Sequence, residues 1–415
     1  MELRPVTADE TATFIRAVDA AFSQHVSDDD LGDYIKVFER DRSLAWFDGG
    51  RIVGTAGAGS LELTLPARPG QPHPAIAVAG VGYVGVLPSH RRQGLLKGLM
   101  ARQLDDVAAR SEAIAILTAS EGGIYRRFGY GPASFCQELR INTREAHLES
   151  GDSDAGRMRL IDSEVAAKEL PALFDLVRRQ TPGDISRPPA VWEQILADRE
   201  PHRHGFSALW YAIHETGGHP DGFLRYRVKT NWVNGVSAAT LRIADFGALT
   251  PEVALSQWAY LLSIDLVAEL QWDNVPVDSA LPFALSDLRQ ARFSVGEGDF
   301  VWVRFLDIPA ALAARGYPVD GRLVFDVIDQ FRPPVAGRYE LVVDRGVGAC
   351  RRLGAGEGGD DVVTLDVSDL GSAYLGGVRF STLARAGRVG GQADTLARGD
   401  SMFASTPLPW CATGF

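Results

Sequence analysis

Apolar residues recur at helical spacing over residues 11–24 and again over 31–40. Ser43 to Phe47 and Arg51 to Leu65 read as two strands, joined into a hairpin by the turn Asp48-Gly49-Gly50. The proline- and glycine-rich stretch from Pro66 to Pro74 predicts a loop. Ile76 to Val86 then predicts a strand. Leu95, Leu96, Leu99, Met100 and Leu104 share the apolar side of a helix that runs to about Arg110. Ala113 to Thr118 predicts a short buried strand, and Glu121 opens another helix. Two helices, strands, helix, strand, helix is the order of a mixed sheet with helices on both faces.

Residues 143–157 are polar and glycine-containing and mark a boundary, after which a second α/β pattern begins. Leu170 to Arg179 and Ala190 to Ala197 predict helices. Ala208 to Ile213 and Gly222 to Val228 predict strands around a Gly217-Gly218 turn. After a strand at Leu241 to Phe246, Thr250-Pro251-Glu252 is a capped start, with proline at the first helical position, for a helix through Leu262. This strand–turn–helix echoes residues 81–104, yet its turn has no arginine and no glycine at the helix start. From about Val303 the texture changes again. Ile308 to Ala314 and its proline–glycine neighbours open a third part. Strands are expected at Gly321 to Ile328, Gly337 to Asp344 and Asp361 to Val367, with 368–398 helical in places. The expected division is 1–145, 146–302 and 303–415, the first two α/β and the third α+β.

A chain of 415 residues needs more than one core. With 46% hydrophobic and 23% charged residues it reads as soluble and globular. The net charge of −11 argues against nucleic acid as a partner and permits a cationic substrate. Cys136, Cys350 and Cys411 are too far apart for a disulfide framework or a zinc site with paired spacing, so no metal is expected. Without a long apolar run or a basic-then-apolar leader, neither a membrane span nor a signal peptide is expected, and the cytoplasm is the expected location.

Gly82 to Lys97 carries the most chemistry. A strand (Val84, Gly85, Val86) enters a turn at Pro88 and Ser89; Arg91, Arg92, Gln93 and Gly94 follow, and Leu95, Leu96 and Lys97 begin the helix. Unpaired N–H groups of a first helical turn and the helix dipole attract phosphate, and Gly94 removes a Cβ from the approach. The spacing is neither that of a Walker loop nor that of the three-glycine dinucleotide turn. The same residues also fit a basic turn that merely caps a surface helix.

Arg91 or Arg92 followed by Gly94 resembles the pyrophosphate loop of the GNAT acetyltransferases, Arg/Gln-x-x-Gly-x-Gly/Ala, except that Leu96 stands where a second small residue is usual. The run Ala119-Ser120-Glu121-Gly122-Gly123-Ile124-Tyr125-Arg126-Arg127-Phe128-Gly129-Tyr130-Gly131-Pro132 resembles the corresponding run of the enhanced-intracellular-survival (Eis) acetyltransferases. So does the tail Pro409-Trp410-Cys411-Ala412-Thr413-Gly414-Phe415. This resemblance covers essentially the whole chain. It implies a GNAT domain, a degenerate second GNAT-like domain and a sterol-carrier-like α+β domain. It also implies acetyl-CoA as co-substrate, primary amines of an aminoglycoside-like polycation or a lysine as acceptor, and a homohexamer. Carried over residue by residue, it places Val84 to Val86 along the acetyl and pantetheine arm and Arg92 to Lys97 at the pyrophosphate. Ser120 and Glu121 fall beside the thioester, Tyr125 becomes the general acid, and the carboxylate of Phe415 becomes the general base.

The chemistry asks for such groups. Attack of an amine on a thioester creates an oxyanion that main-chain N–H groups of a bulged strand can hold. The departing thiolate needs a proton, which a tyrosine keeps at neutral pH. A terminal carboxylate is ionised there and accepts a proton or holds a cation. Tyr125 reads equally as a core tyrosine beside Phe128, and the tail as a frayed end. Phe22, Asp28 and Tyr34 are candidates for the substrate pocket, although Asp28-Asp29-Asp30 also suits a helix cap and the aromatics suit a core. His202 and His204 lack a third ligand, Gly354 to Asp361 reads as an exposed loop, and Cys411 as a small buried hydrophobe. The expectation is direct transfer of an acetyl group to an amine. The alternative is a non-catalytic acyl-CoA- or lipid-binding protein.

Overall fold

The structure, a computed structural model, describes residues 1–149, 156–296, 298–354 and 356–415. The expected boundary stretch at 143–157 and the glycine-rich loop at 354–361 thus lie partly outside the described residues. The first part runs β1 (Glu2–Pro5), α1 (Thr11–Ala21), α2 (Asp28–Val37), β2 (Leu44–Asp48), β3 (Arg51–Thr64), β4 (Ala75–Val86), α3 (Leu95–Ala109), β5 (Ile114–Thr118), α4 (Gly122–Tyr125) and β6 (Gly131–Pro132). The second runs β7 (Cys136–Asn142), β8 (Arg157–Ile161), α5 (Ser163–Arg178), α6 (Pro189–Leu196), β9 (Trp210–Thr216) and β10 (His219–Lys229). It continues through a small hairpin, β11 (Trp232–Val233) and β12 (Val236–Ser237), then β13 (Ala239–Ala248), α7 (Pro251–Leu262), β14 (Val267–Pro276), α8 (Leu281–Ala284) and β15 (Ala291–Ser294). The last comprises β16 (Val301–Phe305), α9 (Ile308–Ala314), β17 (Gly321–Ile328), β18 (Gly337–Asp344), β19 (Val347–Arg352) and β20 (Val363–Asp366). It ends with α10 (Val367–Ala373), α11 (Phe380–Arg385), β21 (Val389–Gly390) and α12 (Ala393–Phe403).

Two seven-stranded sheets share one plan. The first is ordered β1-β2-β3-β4-β5-β16-β6 and the second β8-β9-β10-β13-β14-β7-β15; in each only the central pair, β4 with β5 or β13 with β14, is parallel. The sixth strand of each sheet is exchanged. β7 leaves the first part to complete the second sheet, and β16 returns after the second part to complete the first. The expected boundary between residues 302 and 303 therefore falls inside β16, whose Trp302 pairs with Leu117 and whose Val303 pairs with Ile116. A third sheet, β19-β18-β17-β20-β21, carries α9 to α12.

Alternation along the strands ties the layers together. Ile114 and Ile116 of β5 face a core shared with Phe325, Phe380 and Phe403 of the third part. Ala115 and Leu117 face Met100, Leu104 and Val107 of α3. The third part is thus packed on the back of the first sheet and shares its core.

The tail after α12 is pinned rather than frayed. Trp410 donates its backbone N–H to Pro182 O (2.9 Å) and its indole N–H to Asn274 Oδ1 (3.0 Å); the Asn274 amide donates in turn to Cys411 O (2.9 Å). Arg187 donates from Nε to Thr413 Oγ1 at 2.8 Å, and Ala412 donates its N–H to Asp184 Oδ1 at 3.1 Å. Burial pushes the Asp184 carboxyl up to about 6 even though Arg187 and the Ala412 and Ile185 N–H groups favour its charge. A raised native value means that the native state binds a proton between about pH 6 and pH 4 that the unfolded chain does not. The contribution of Asp184 to stability is then full below the unfolded value and is lost as pH rises through the folded one. Wild type is expected to gain on Asp184→Asn as pH falls from 7.5 to 4.5, by at most about 3 kcal/mol, in denaturation midpoints measured across that range. A gap that does not change with pH would contradict this.

Candidate active site

The site begins with a defect in β4. Pairing with β3 runs Thr55 to Gly85 and then Gly57 to Gly82, so Tyr83 and Val84 oppose the single residue Ala56. This is a β-bulge, and Tyr83 occupies it with a left-handed φ of 55°, unusual for an aromatic residue. Gly57 makes room, since a Cβ there would lie 2.9 Å from the Tyr83 ring. On its other edge β4 pairs with β5 only at Ala79–Ala115 and Gly80–Ile116. Beyond Gly80 the two parallel strands part, and the wedge between them holds the site.

One side of the wedge is the cradle. Arg92 takes φ of 62°, and Gly94 caps α3 with φ of 83°. The first backbone bond at this end of α3 runs from Gly98 N to Gly94 O (3.1 Å), so the N–H groups of Leu95, Leu96 and Lys97 have no helical acceptor. A Cβ at Gly94 would meet no protein atom within 4 Å; glycine is required there by the backbone angle, and the space in front of it is open. Trp46 anchors this end by donating its indole N–H to Leu95 O at 3.0 Å. The two arginines have different tasks. Arg91 turns inward to Val86 O (3.3 Å) and Ala21 O (3.2 Å), while Arg92, Gln93 and Lys97 are exposed and make no ion pair or side-chain hydrogen bond with a described residue. Two unspent cations, free N–H groups and a bare backbone suit a diphosphate.

Arg91, Arg92 and Gly94 to Lys97 line a cleft of about 1080 Å³ together with Val84 to Val86, Ser120 and Glu121. A second chamber of about 690 Å³ adjoins it, and Phe22, Val84, Ser120 and Tyr125 line both. Into this chamber come Asp19 from α1, Tyr34 from α2, Thr118 at the end of β5, Asp299 before β16, and the final residue Phe415. Thr118 Oγ1 donates to Phe415 O at 2.9 Å, and Gly80 leaves space for the Phe415 ring, which would lie 3.2 Å from a Cβ there. Asp299 accepts from the Trp302 indole at 2.6 Å. No lysine, arginine or histidine lines the chamber among the described residues, so its field is negative.

Tyr125, at the end of α4, is buried with its ring edge-on to Tyr130 at 6.1 Å. Burial, aided by the nearby Glu121 carboxylate, raises its phenol, so the hydroxyl keeps its proton through the neutral range. Burial likewise raises the Asp19 carboxyl, with Asp30 adding to the effect.

Of the residues expected from sequence, Val84 to Val86, Arg92, Gly94 to Lys97, Ser120 and Glu121 line the cleft, Tyr125 lines both cavities, and Phe22 lines both as well. Tyr34 and Phe415 line the chamber. Gln93 is exposed beside the cleft and is not among the residues lining it. Asp28 does not line the chamber either; it is exposed at the start of α2 and paired with Arg16 Nη2 at 2.8 Å. Sequence reasoning passed over Asp19, Tyr83 and Asp299. Only the alternation of Phe300 to Phe305, which predicts a strand just after Asp299, was available as a signal. Among the described residues, no group of three or more His, Cys, Asp or Glu is placed to hold a metal, and no helix is long and apolar enough to cross a membrane.

Family models fit this architecture. A model of the acetyltransferase (GNAT) domain matches residues 2–133, a second model of that description matches 183–304, and a sterol carrier protein domain matches 308–412. An N-acetyltransferase of Streptomyces coelicolor is 37% identical over 384 residues, covering 92% of this chain and 89% of its own. The N-acetyltransferase Eis of Mycobacterium tuberculosis is 33% identical over 369 residues, covering 86% and 84%. The crystal structure of Eis1 from Mycobacterium abscessus superposes with a TM-score of 0.86 at 30% identity over the full length of both chains. A GCN5-related N-acetyltransferase structure from Anabaena variabilis, at 19% identity and a TM-score of 0.84, shares the fold. With its paired GNAT domains, its sterol-carrier-like domain and relatives matched along most of its length, the chain belongs to the Eis-type GNAT N-acetyltransferases.

Proposed function

We propose that this N-acetyltransferase uses acetyl-CoA and acts on a primary amine of a polycationic small molecule, aminoglycoside-like in its charge, or on a lysine. The observation that carries the reading is the shared chamber: Tyr125 and Phe415 line one cavity, which opens into the cleft at the N-terminus of α3.

In this reading the free N–H groups of Leu95 to Lys97, with Arg92 and Lys97, hold the diphosphate of the co-substrate. The main chain of the bulged segment Val84 to Val86 lies along its arm and supplies donors for developing negative charge on oxygen. When bound, the co-substrate supplies an acetyl group as a thioester; the amine adds to its carbonyl carbon to form the N–C bond, and the C–S bond breaks as the tetrahedral adduct collapses. An ammonium is drawn in by Asp19, Asp299 and the Phe415 carboxylate, and must lose a proton before it can attack. The Phe415 carboxylate accepts that proton, directly or through water, and passes it to solvent. Tyr125 gives its hydroxyl proton to the departing sulfur and regains one from the nitrogen. The electrons of the C–S bond leave with the sulfur, and transfer is direct: Cys136, Cys350 and Cys411 line neither the cleft nor the chamber.

Thiol release from acetyl-CoA against aminoglycosides, polyamines and lysine peptides tests the reading. Tyr125→Phe and deletion of Phe415 should each lower turnover by about 100-fold or more while CoA binding is retained. Arg92→Ala should instead raise the KM for acetyl-CoA about tenfold, with a smaller effect at high salt. Retained CoA binding with no thiol release from any amine would leave the acyl-CoA-binding alternative. Loss of CoA binding in Tyr125→Phe equal to its loss of turnover would remove the acid role.

A further inference from the structure

The cleft at the start of α3 has a wall that the GNAT domain does not supply. Gln330 and Phe331, from the loop after β17 in the third part, line it alongside Ile124, Arg127 and Phe128. This loop is held from three directions. Asp329, 4% exposed, accepts the N–H groups of Phe331 (3.1 Å) and Arg332 (2.8 Å), which sets the turn. The same carboxylate is paired at 2.7 Å with Arg304 of β16, both side chains being buried. Arg332 then reaches α3, donating to Leu104 O and pairing with Asp105, each at 2.9 Å. The Phe331 ring stands edge-on to Phe128 at 5.0 Å, which closes the seam between the two parts. With its neighbours fixed, Gln330 is left exposed at the cleft, and its amide makes no hydrogen bond to a described residue.

We infer that the sterol-carrier-like part completes the co-substrate groove: Gln330 and Phe331 contact the CoA portion of the thioester, and Asp329 and Arg332 are positioning residues that hold them there. The inference rests on the reading of this cleft as the CoA site. A glutamine is suited to such a wall because its amide both donates and accepts, and CoA offers amide and phosphate partners of both kinds. A phenylalanine set in a packed seam gives a rigid apolar surface at small entropic cost.

The test uses the full chain and acetyl-CoA, which has no free thiol. A cysteine introduced by Gln330→Cys should react with a maleimide in the free protein, and saturating acetyl-CoA should slow that reaction at least about tenfold. Cys136 and Cys411 are buried, and the wild-type protein gives the background from half-buried Cys350. In parallel, Gln330→Ala should weaken CoA binding about threefold to tenfold, the range for loss of a neutral hydrogen bond. Gln330→Glu should weaken it further and Gln330→Lys less, with kcat and melting temperature unchanged in all three, because a charge at the wall acts on a polyanion and not on the chemistry. If acetyl-CoA binds but neither protects the introduced thiol nor loses affinity in Gln330→Ala, the inference fails while the CoA reading stands. If the wild-type protein does not bind CoA, both fall.

Discussion

One buried carboxylate fixes the course of the segment that reaches the chamber. Asp245 on β13 is flanked by Arg187 Nη1 at 2.5 Å and Arg225 Nη2 at 3.1 Å, all three side chains being nearly inaccessible. Burial opposes its ionisation, but the two guanidiniums outweigh that and hold the carboxyl below its usual value. Removing a partner of such a group leaves an uncompensated charge in the interior, which is strongly destabilising. Arg187, fixed by Asp245 and lying over the Phe174 ring at 3.8 Å, then has its Nε free to grip Thr413. From there two residues bring Phe415 to Thr118 and the chamber. The second GNAT domain carries no cradle, yet its charged interior fixes the aim of the tail.

Comparison of the two sheets shows why only one keeps a cradle. α3 is capped by a left-handed glycine with no side chain, and its first N–H groups remain unfilled. α7 is capped by Thr250, whose hydroxyl accepts from Val253 N, and Pro251 at its first position has no N–H to offer. A side chain of the protein thus occupies in one domain the place that stays open for an anion in the other. Both central parallel pairs part before their strands end, β4 from β5 after Gly80 and β13 from β14 after Arg242, but beyond the second parting Phe246 stacks on Trp258 and Trp272. The same topology is capped by its own side chain or left open to an anion, depending on a few residues at the start of the following helix.

What the sequence made legible were local signals. The hairpin at Asp48-Gly49-Gly50, the cradle and the Thr250-Pro251 cap are set by residues within one or two turns of each other, and patterns of that range show in a string. The pairing of β16 with β5 depends on contacts between segments nearly two hundred residues apart, and nothing in Val301 to Phe305 names its partner. Val303 was accordingly read as the start of a new part, when it is the sixth strand of the first sheet. The chamber followed the same rule. Tyr125 stood in a motif, but Asp19 and Asp299 are ordinary acids until folding brings α1 and the lead-in to β16 to one place. Asp28 showed the converse, an acid near an aromatic that folding turned toward Arg16.

The exchanged sixth strands also govern how the molecule is made. A ribosome releases β6 long before β16, so the first sheet waits with the edge of β5 bare until the whole intervening domain has emerged. The cleft and chamber, lined in part by Asp299, Gln330, Phe331 and Phe415, are complete only once those late residues have emerged, although most of their lining is synthesised first. A fragment ending near residue 133 therefore encodes the first sheet without its sixth strand, which is written far downstream.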